Sequence, residues 1–187
     1  ELFKNNTMTF VAGSSWQPDE DLFIEYFNQH PEVKLVIAPH VIDENHLVEI
    51  IRKLKRPYVR YTRADEKNVR KADCLIIDCF GLLSSIYRYG EIAYIGGGFG
   101  VGIHNTLEAA VYGIPVIFGP KYQKFQEAIQ LLEAKGAFSV KDYEELKTLL
   151  DRMLTDEVFL RESGMNASNY VTGNAGATDK IMSMINF

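Results

Sequence analysis

Continuous apolar runs alternate with amphipathic segments along the chain, and this alternation predicts the secondary structure. Continuous runs are typical of strands that are covered on both faces, whereas apolar residues three and four positions apart indicate helices with one buried face. The runs predict strands at residues 8–12, 34–38, 58–61, 73–78, 91–95, 114–118 and 137–140. The helical spacing predicts helices at residues 18–27, 47–54, 82–89, 105–112, 125–135, 142–154, 156–170 and 178–185.

The regular exchange of strands and helices predicts an α/β fold, a Rossmann-like parallel sheet flanked by helices on both faces. In such folds ligands bind beyond the carboxyl ends of the strands. The loops in which we expect function are therefore those at residues 13–16, 39–43, 78–82, 96–105 and 119–125.

The loop after the fifth predicted strand is rich in glycine. Gly96, Gly97, Gly98, Gly100 and Gly102 fall within seven positions. Glycine lets a backbone approach a ligand closely, and a helix that starts directly after the loop would direct free N–H groups towards an anion. The pattern therefore favours a phosphate or another anion, although it is not the dinucleotide fingerprint.

Two other predicted loops carry polar side chains with two possible roles. Ser14 and Ser15 follow the first strand, where hydroxyls either contact a phosphate or sugar or cap the next helix. His40 follows the second strand and a proline, and it is either structural or a contact for a phosphate or carboxylate.

The segment His104-Asn-Thr-Leu-Glu108 also supports two interpretations. Asn105 and Glu108 have the spacing of a capping box, which alone could explain both residues. Alternatively, the two oxygens of the Glu108 carboxylate could accept both hydroxyls of a ribose. The residues themselves leave these two roles open.

Composition excludes several classes of protein. The chain has 187 residues, of which 47% are apolar and 24% charged, so it can build a sizeable core. Its net charge of -5 argues against nucleic-acid binding. No apolar run is long enough for a spanning helix, and no signal peptide is visible.

Other residue types add little chemistry. The four histidines do not have metal-ligand spacing, and no G-x-S-x-G nucleophile motif is present. Cys74 and Cys79 are expected to be buried, reduced thiols. The basic segment at residues 52–71 contains nine Lys and Arg; it is either a solvated face or a surface that contacts an anionic membrane.

Four motifs, in order, resemble the C-terminal half of the bacterial 3-deoxy-D-manno-octulosonic acid (Kdo) transferases. The family has G-S-T-W before acidic residues, a central G-G…G-G-H-N-x-L-E-P-A, then G-x-P-V-x-x-G-P and N-x-G-A. The corresponding segments here are Gly13-Ser-Ser-Trp16 with Asp19-Glu20, Gly97-Gly98 with Gly102 to Ala110, Gly113 to Pro120, and Asn174 to Ala177.

The resemblance implies a donor-binding domain, one half of a GT-B fold, over residues 1–187, with residues 1–7 as a terminus or linker. It implies CMP-Kdo as the donor substrate, no metal or other cofactor, and no catalytic residue in this domain. Glu108 would hold the ribose, the glycine loop the phosphate, and Ser14 and Ser15 the phosphate or Kdo. The expected substrate-binding residues are Ser14, Ser15, His40, Gly97, Gly98, Gly100, Gly102, His104, Asn105, Thr106 and Glu108.

A missing N-terminal domain would supply the catalytic base, the lipid A precursor site and the membrane association. The resemblance thus places the enzyme at the cytoplasmic face of the bacterial inner membrane, and the chain, which lacks an initiator Met, would be an excised, inactive domain.

Ile103 replaces a family glycine and is expected to narrow the loop, and an Arg of the family is missing beside His40. Alternatives are another GT-B glycosyltransferase, a UDP-sugar 2-epimerase, or a non-catalytic nucleotide-binding module.

Overall fold

The computed structural model describes residues 2–174, which build one seven-stranded sheet with helices on both faces. All neighbouring strands are parallel, and their order across the sheet is β3-β4-β2-β1-β5-β6-β7. The prediction of a Rossmann-like parallel sheet is therefore confirmed. The strands are β1 (Met8–Ser15), β2 (Val33–Pro39), β3 (Tyr58–Arg60), β4 (Cys74–Ile76), β5 (Ile92–Ile95), β6 (Val116–Phe118) and β7 (Ala137–Ser139).

Eight α-helices cover the sheet within the described residues, together with 3₁₀ turns at Tyr61–Arg63 and Tyr87–Tyr89. Alternate residues of each strand enter two different apolar clusters, one on each face, as the period of a strand requires. The helices are α1 (Gln17–Gln29), α2 (Glu44–Lys53), α3 (Glu66–Lys71), α4 (Leu83–Ile86), α5 (Leu107–Ala110), α6 (Gln126–Glu133), α7 (Tyr143–Thr155) and α8 (Glu157–Asn174).

The centre of the sheet contains a topological switch point. β1 pairs with β2 on one side and with β5 on the other, so the chain reaches β5 only after β2, β3 and β4 have been added on the opposite side. The chain continues from β1 to β2 on one side and from β5 to β6 on the other, so the connections after β1 and β5 leave the carboxyl edge in opposite directions. This is the position at which open α/β sheets bind their ligands.

Two predicted helices are shorter in the structure. The helix expected at residues 105–112 is the single turn α5, because Tyr112 and Gly113 donate to carbonyls only three residues back. Gly113 then has a φ of 70°, which ends the helix before β6. The helix expected at residues 82–89 is α4 followed by a 3₁₀ turn.

Two other helices were missed or underestimated by the periodicity. α3 lies in the basic segment and begins at a capping box, in which Asp65 accepts from Asn68 N–H and Asn68 bonds the Asp65 N–H in return. α8 extends past the expected end at Tyr170. The predicted helix at residues 178–185 and most of the N-x-G-A motif lie outside the described residues.

The segment before β1, predicted as a terminus or linker, packs against the domain. Phe3 is buried and its carbonyl accepts from the Lys34 ammonium at 2.7 Å, while Lys4 pairs with Glu91. Between residues 2 and 174, no helix combines the length and the apolar character required to cross a membrane.

Candidate functional site

The loops after β1, β5 and β6 meet at the carboxyl edge of the sheet, and glycine makes their close packing possible. The N–H of Gly96 donates to the Gly13 carbonyl at 2.9 Å. A Cβ on Gly96 would lie far inside contact distance of the Ser14 carbonyl, and one on Gly98 would lie 2.6 Å from the Gly119 Cα. These glycines therefore bring three backbones together.

The glycine loop is a compact turn. Gly97 and Gly102 have φ values of 94° and 124°, and the Gly97 carbonyl accepts from the N–H groups of Gly100 and Gly102. Gly97, Gly98 and Gly102 are buried, whereas Gly100 is exposed. The expected anion-binding helix start is weaker than predicted, since α5 has only four residues and a correspondingly small dipole.

A buried carboxylate joins the two loops at the switch point. Asp19, which is 1% exposed, accepts from the N–H of Gly97 at 2.9 Å, the N–H of Trp16 at 3.0 Å and the Tyr94 hydroxyl at 2.9 Å. Burial raises the pKa of Asp19 above its usual value, although these hydrogen bonds oppose the rise. The Asp19 side chain thus links the start of α1 to the glycine loop.

A second buried carboxylate occupies the space behind the first loop. Glu20 accepts from the Ser15 hydroxyl at 2.9 Å and contacts Nε2 of His46 at 3.0 Å, while Nδ1 of His46 lies 2.9 Å from the Val41 carbonyl. Burial raises the pKa of Glu20. Burial lowers the pKa of His46, but the Glu20 carboxylate outweighs it and the net shift is upward.

This arrangement corrects the expectation for Ser15. Its side chain has no exposed surface and its hydroxyl is engaged by Glu20, so it does not face a ligand. Ser14 is half-buried and has a φ of 52°, a left-handed conformation that non-glycine residues rarely adopt. The irregularity in the β1–β2 register lies at the same place, between Gly13 and Ser15.

Three aromatic rings converge from three strand ends. The His40 ring stacks on Trp16 with a centroid distance of 4.6 Å and on His104 with a centroid distance of 4.4 Å. The Trp16 indole N–H donates to Nε2 of His104 at 3.3 Å. The structure thus brings together His40 and His104, which were predicted, and adds Trp16.

Asn105 and Glu108 contact each other beside the glycine turn. The Asn105 side-chain oxygen accepts from the N–H of Leu107 at 3.0 Å, and its NH₂ group donates to Glu108 Oε1 at 3.2 Å. The predicted capping box is not formed, because the N-cap of α5 is Thr106, which makes no side-chain cap bond. Asn105 lies one residue earlier and still bonds the first N–H of the helix, and Glu108 contacts the Asn105 side chain in place of a backbone N–H. Thr106 is 4% exposed, whereas Asn105 is exposed and Glu108 half-buried.

Ile103 does not narrow the loop as expected. Its side chain is 3% exposed and belongs to the core cluster that includes Ile95 and Phe118. The large side chain is therefore accommodated inside the domain.

Part of the basic segment is used by the fold itself. Arg56 donates to four carbonyl oxygens around the end of α1 and the start of β2. Arg60 pairs with Asp78 at 2.8 Å and with Glu44, and Lys53 pairs with Asp21. Burial opposes ionisation of Asp78, yet hydrogen bonds from Thr62 and Arg60 keep its pKa below the usual value. The segment is thus not a uniform basic face.

An apolar cavity of about 680 Å³ lies elsewhere on the domain, over β2 and β4 and beside the 3₁₀ turn that precedes β5. Val36, Leu75 and Ile86 are among its lining residues, and no predicted substrate-binding residue contributes to it. The polar site at the carboxyl edge is consequently separate from this cavity.

The sequence pattern missed the positioning groups, because Asp19 and Glu20 were used only as the acidic residues that follow Trp16 in the family motif. For Asp19 the spacing after Trp16 was the available signal, since a carboxylate three residues after an N-cap can return to its backbone N–H. In the described part of the chain, no group of three His, Cys, Asp or Glu side chains is placed to hold a metal ion. Cys74 and Cys79 are free thiols, buried and half-buried respectively.

Comparison with known proteins identifies relatives along most of the chain. The 3-deoxy-D-manno-octulosonic acid transferase of Aquifex aeolicus is 34% identical over 151 residues, covering 78% of this chain and 41% of the relative. The corresponding transferase of Rickettsia felis is 32% identical over 190 residues, covering 97% of this chain and 40% of the relative. The chain therefore spans about two fifths of the length of these relatives. A comparison with models of protein families finds no match.

Among solved structures, the C-terminal CMP-Kdo binding domain of WaaA from Acinetobacter baumannii has the same fold. The TM-score is 0.77 at 18% identity, with 89% of this chain and 90% of that domain covered. The chain is therefore a homologue of the 3-deoxy-D-manno-octulosonic acid transferases and corresponds to one domain of them, a GT-B half-domain.

Proposed function

We propose that this chain is the donor-binding domain of a Kdo transferase and that it binds CMP-Kdo at the carboxyl edge of its sheet. The homologous proteins are Kdo transferases, which supports the transferase activity. The A. baumannii domain with the same fold is a CMP-Kdo binding domain, which supports CMP-Kdo as the donor. The switch point between β1 and β5 supports the location, because α/β sheets bind nucleotides there.

The observation that carries this proposal is the contact between Asn105 and Glu108 beside the glycine turn. Asn105 engages one oxygen of the Glu108 carboxylate. The Glu108 side chain forms no ion pair with any described residue. A half-buried carboxylate held in one orientation is a suitable acceptor for the two hydroxyls of a ribose.

The phosphate would lie next to the glycine turn, between the exposed Gly100 and the ring of His104. This domain would orient the donor and stabilise the charge that develops on the departing CMP. In this proposal the remainder of the enzyme supplies the catalytic base, the lipid A precursor site and the attachment to the cytoplasmic face of the inner membrane. The transfer itself would require neither a metal ion nor another cofactor.

Calorimetric titration of the chain with CMP-Kdo, CMP and UDP tests the proposal. We expect binding of CMP-Kdo and CMP, and markedly weaker binding of UDP. Binding of UDP without binding of CMP would contradict the Kdo assignment and favour another GT-B glycosyltransferase or a UDP-sugar 2-epimerase. Binding of a nucleotide without any transfer by the full-length enzyme would favour a non-catalytic module.

Two substitutions separate the ribose role from the capping role. Glu108→Ala should weaken CMP binding by about 10- to 100-fold, since hydrogen bonds to a charged group are lost, with little change in the melting temperature. Asn105→Ala should lower both affinity and stability, because it also removes a bond to the Leu107 N–H. Glu144→Ala is the matched control, an exposed glutamate in the first turn of α7. Unchanged affinity in Glu108→Ala would locate the nucleotide elsewhere.

A further inference from the structure

The three stacked rings at the switch point contain a hydrogen bond that determines the state of one of them. Trp16, His40 and His104 follow β1, β2 and β5, and both stacked pairs have an interplanar angle of 26°. Within this cluster the Trp16 indole N–H donates to Nε2 of His104 at 3.3 Å.

An indole nitrogen can only donate a hydrogen bond, so Nε2 of His104 must offer its lone pair. In a neutral imidazole the proton is then on Nδ1. Among the described residues, Nδ1 of His104 has no hydrogen-bond partner. The ring therefore retains an unused N–H donor on Nδ1.

The surroundings also oppose a second proton on His104. Partial burial lowers its pKa below the usual value, and the stacked His40 adds to this effect. The carboxylates of Asp19 and Glu108 act in the opposite direction but do not reverse the shift. A protonated His104 would also place an N–H against the indole N–H of Trp16.

We propose that Trp16 is a positioning residue that holds His104 as the neutral Nδ1–H tautomer, so that the ring presents a single N–H to an anionic oxygen of the ligand. The tautomer is a property of the free protein. Only the identity of the ligand rests on the proposed function.

Long-range ¹H–¹⁵N correlation spectra of the ¹⁵N-labelled chain report the tautomer directly. We expect His104 to be in the Nδ1–H form at neutral pH and to shift towards the Nε2–H form in Trp16→Phe, which keeps an aromatic ring for stacking but lacks the N–H. The signals of His46, which has other partners, should not change. An Nε2–H tautomer in the unsubstituted chain would overturn the proposal, even if the variant failed to fold.

Calorimetry with CMP tests the contribution to binding. A hydrogen bond to a charged oxygen is worth about tenfold in affinity, so Trp16→Phe and His104→Ala should each weaken CMP binding by about this factor. A changed tautomer with unchanged CMP affinity would overturn the role of the N–H in binding. If CMP did not bind the unsubstituted chain, the proposed function would fail, whereas the tautomer result would stand on the spectra alone.

Discussion

The two loops that meet at the switch point are held in place by opposite means. The loop after β1 is held by side chains, since Asp19 and Glu20 accept hydrogen bonds from its backbone and from Ser15. The loop after β5 shares the Asp19 carboxylate through the Gly97 N–H, but its close packing depends on the absence of side chains, because Gly96 and Gly98 allow the neighbouring backbones to approach. Adding a Cβ to one of these glycines should destabilise the loop after β5, whereas the loop after β1 should be destabilised when a carboxylate is neutralised.

The largest effect is expected for Gly96→Ala. The added Cβ would meet the backbone of Ser14 and Ser15, which cannot rotate away, so we expect a loss of about 3 kcal/mol or more in the free energy of unfolding. Gly100→Ala is the matched control in the same loop, since its nearest neighbour would be 3.7 Å away. Denaturant unfolding measures both. Equal effects of the two substitutions would refute the packing role of the glycines.

The next effect in size is expected for Asp19→Asn. The amide oxygen can keep the bonds from the N–H groups of Gly97 and Trp16, but the NH₂ group replaces the oxygen that accepts from the Tyr94 hydroxyl. Because the remaining bonds also lose their charged acceptor, the free energy of unfolding should fall by about 2 kcal/mol. CMP affinity should fall as well, because Asp19 links both loops. Asp21→Asn, which weakens the pair between the exposed Asp21 carboxylate and Lys53, should cost less than about 1 kcal/mol. If both variants lost the same stability, the link between the loops would be unsupported.

Glu20→Gln should give a smaller loss that depends on pH. The pKa of His46 is raised above 6.5 in the folded protein, so its stabilisation is present below that pH and is lost as pH rises through the folded value. The pKa of Glu20 is raised above 4.5, and its contribution also declines with rising pH.

The stability difference between the unsubstituted chain and Glu20→Gln should therefore be about 1–2 kcal/mol at pH 6 and shrink at higher pH. Urea unfolding at a series of pH values measures this difference. A difference that grew as pH rose would show that Glu20 is held as a carboxylate by something other than His46.

The smallest effect is expected for Ile103→Val. Removing one methylene from a buried side chain should cost about 1 kcal/mol of stability, with CMP affinity unchanged because Ile103 faces the core. Val101→Ala, at a position 88% exposed in the same loop, should be neutral in stability. A change in CMP affinity for Ile103→Val would mean that this side chain does border the cleft.

The outcome of the site prediction depended on how far each interaction reaches along the chain. The glycine loop was predicted from its own run of glycines, and Asn105 and Glu108 from their spacing of three residues, which matches the bond from Asn105 to Glu108. The bond between Asp19 and Gly97 joins residues 78 positions apart, and no local pattern reports it. Ser15 was misjudged for the same reason, because its inward orientation depends on Glu20 and the bulge in β1.

The chain by itself determined the order of strands and helices, the parallel sheet and the position of the glycine loop. These follow from hydrophobic periodicity and from the backbone freedom of glycine, which are local properties. Only the tertiary structure decided which face each side chain of the loops presents. Burial of Asp19, Glu20 and Ile103, and the contact of Trp16 with His104, arise when three strand ends are brought to one edge. Their energies depend on neighbours that are distant in the sequence, and so the pattern could predict a site at this edge but not orient its groups.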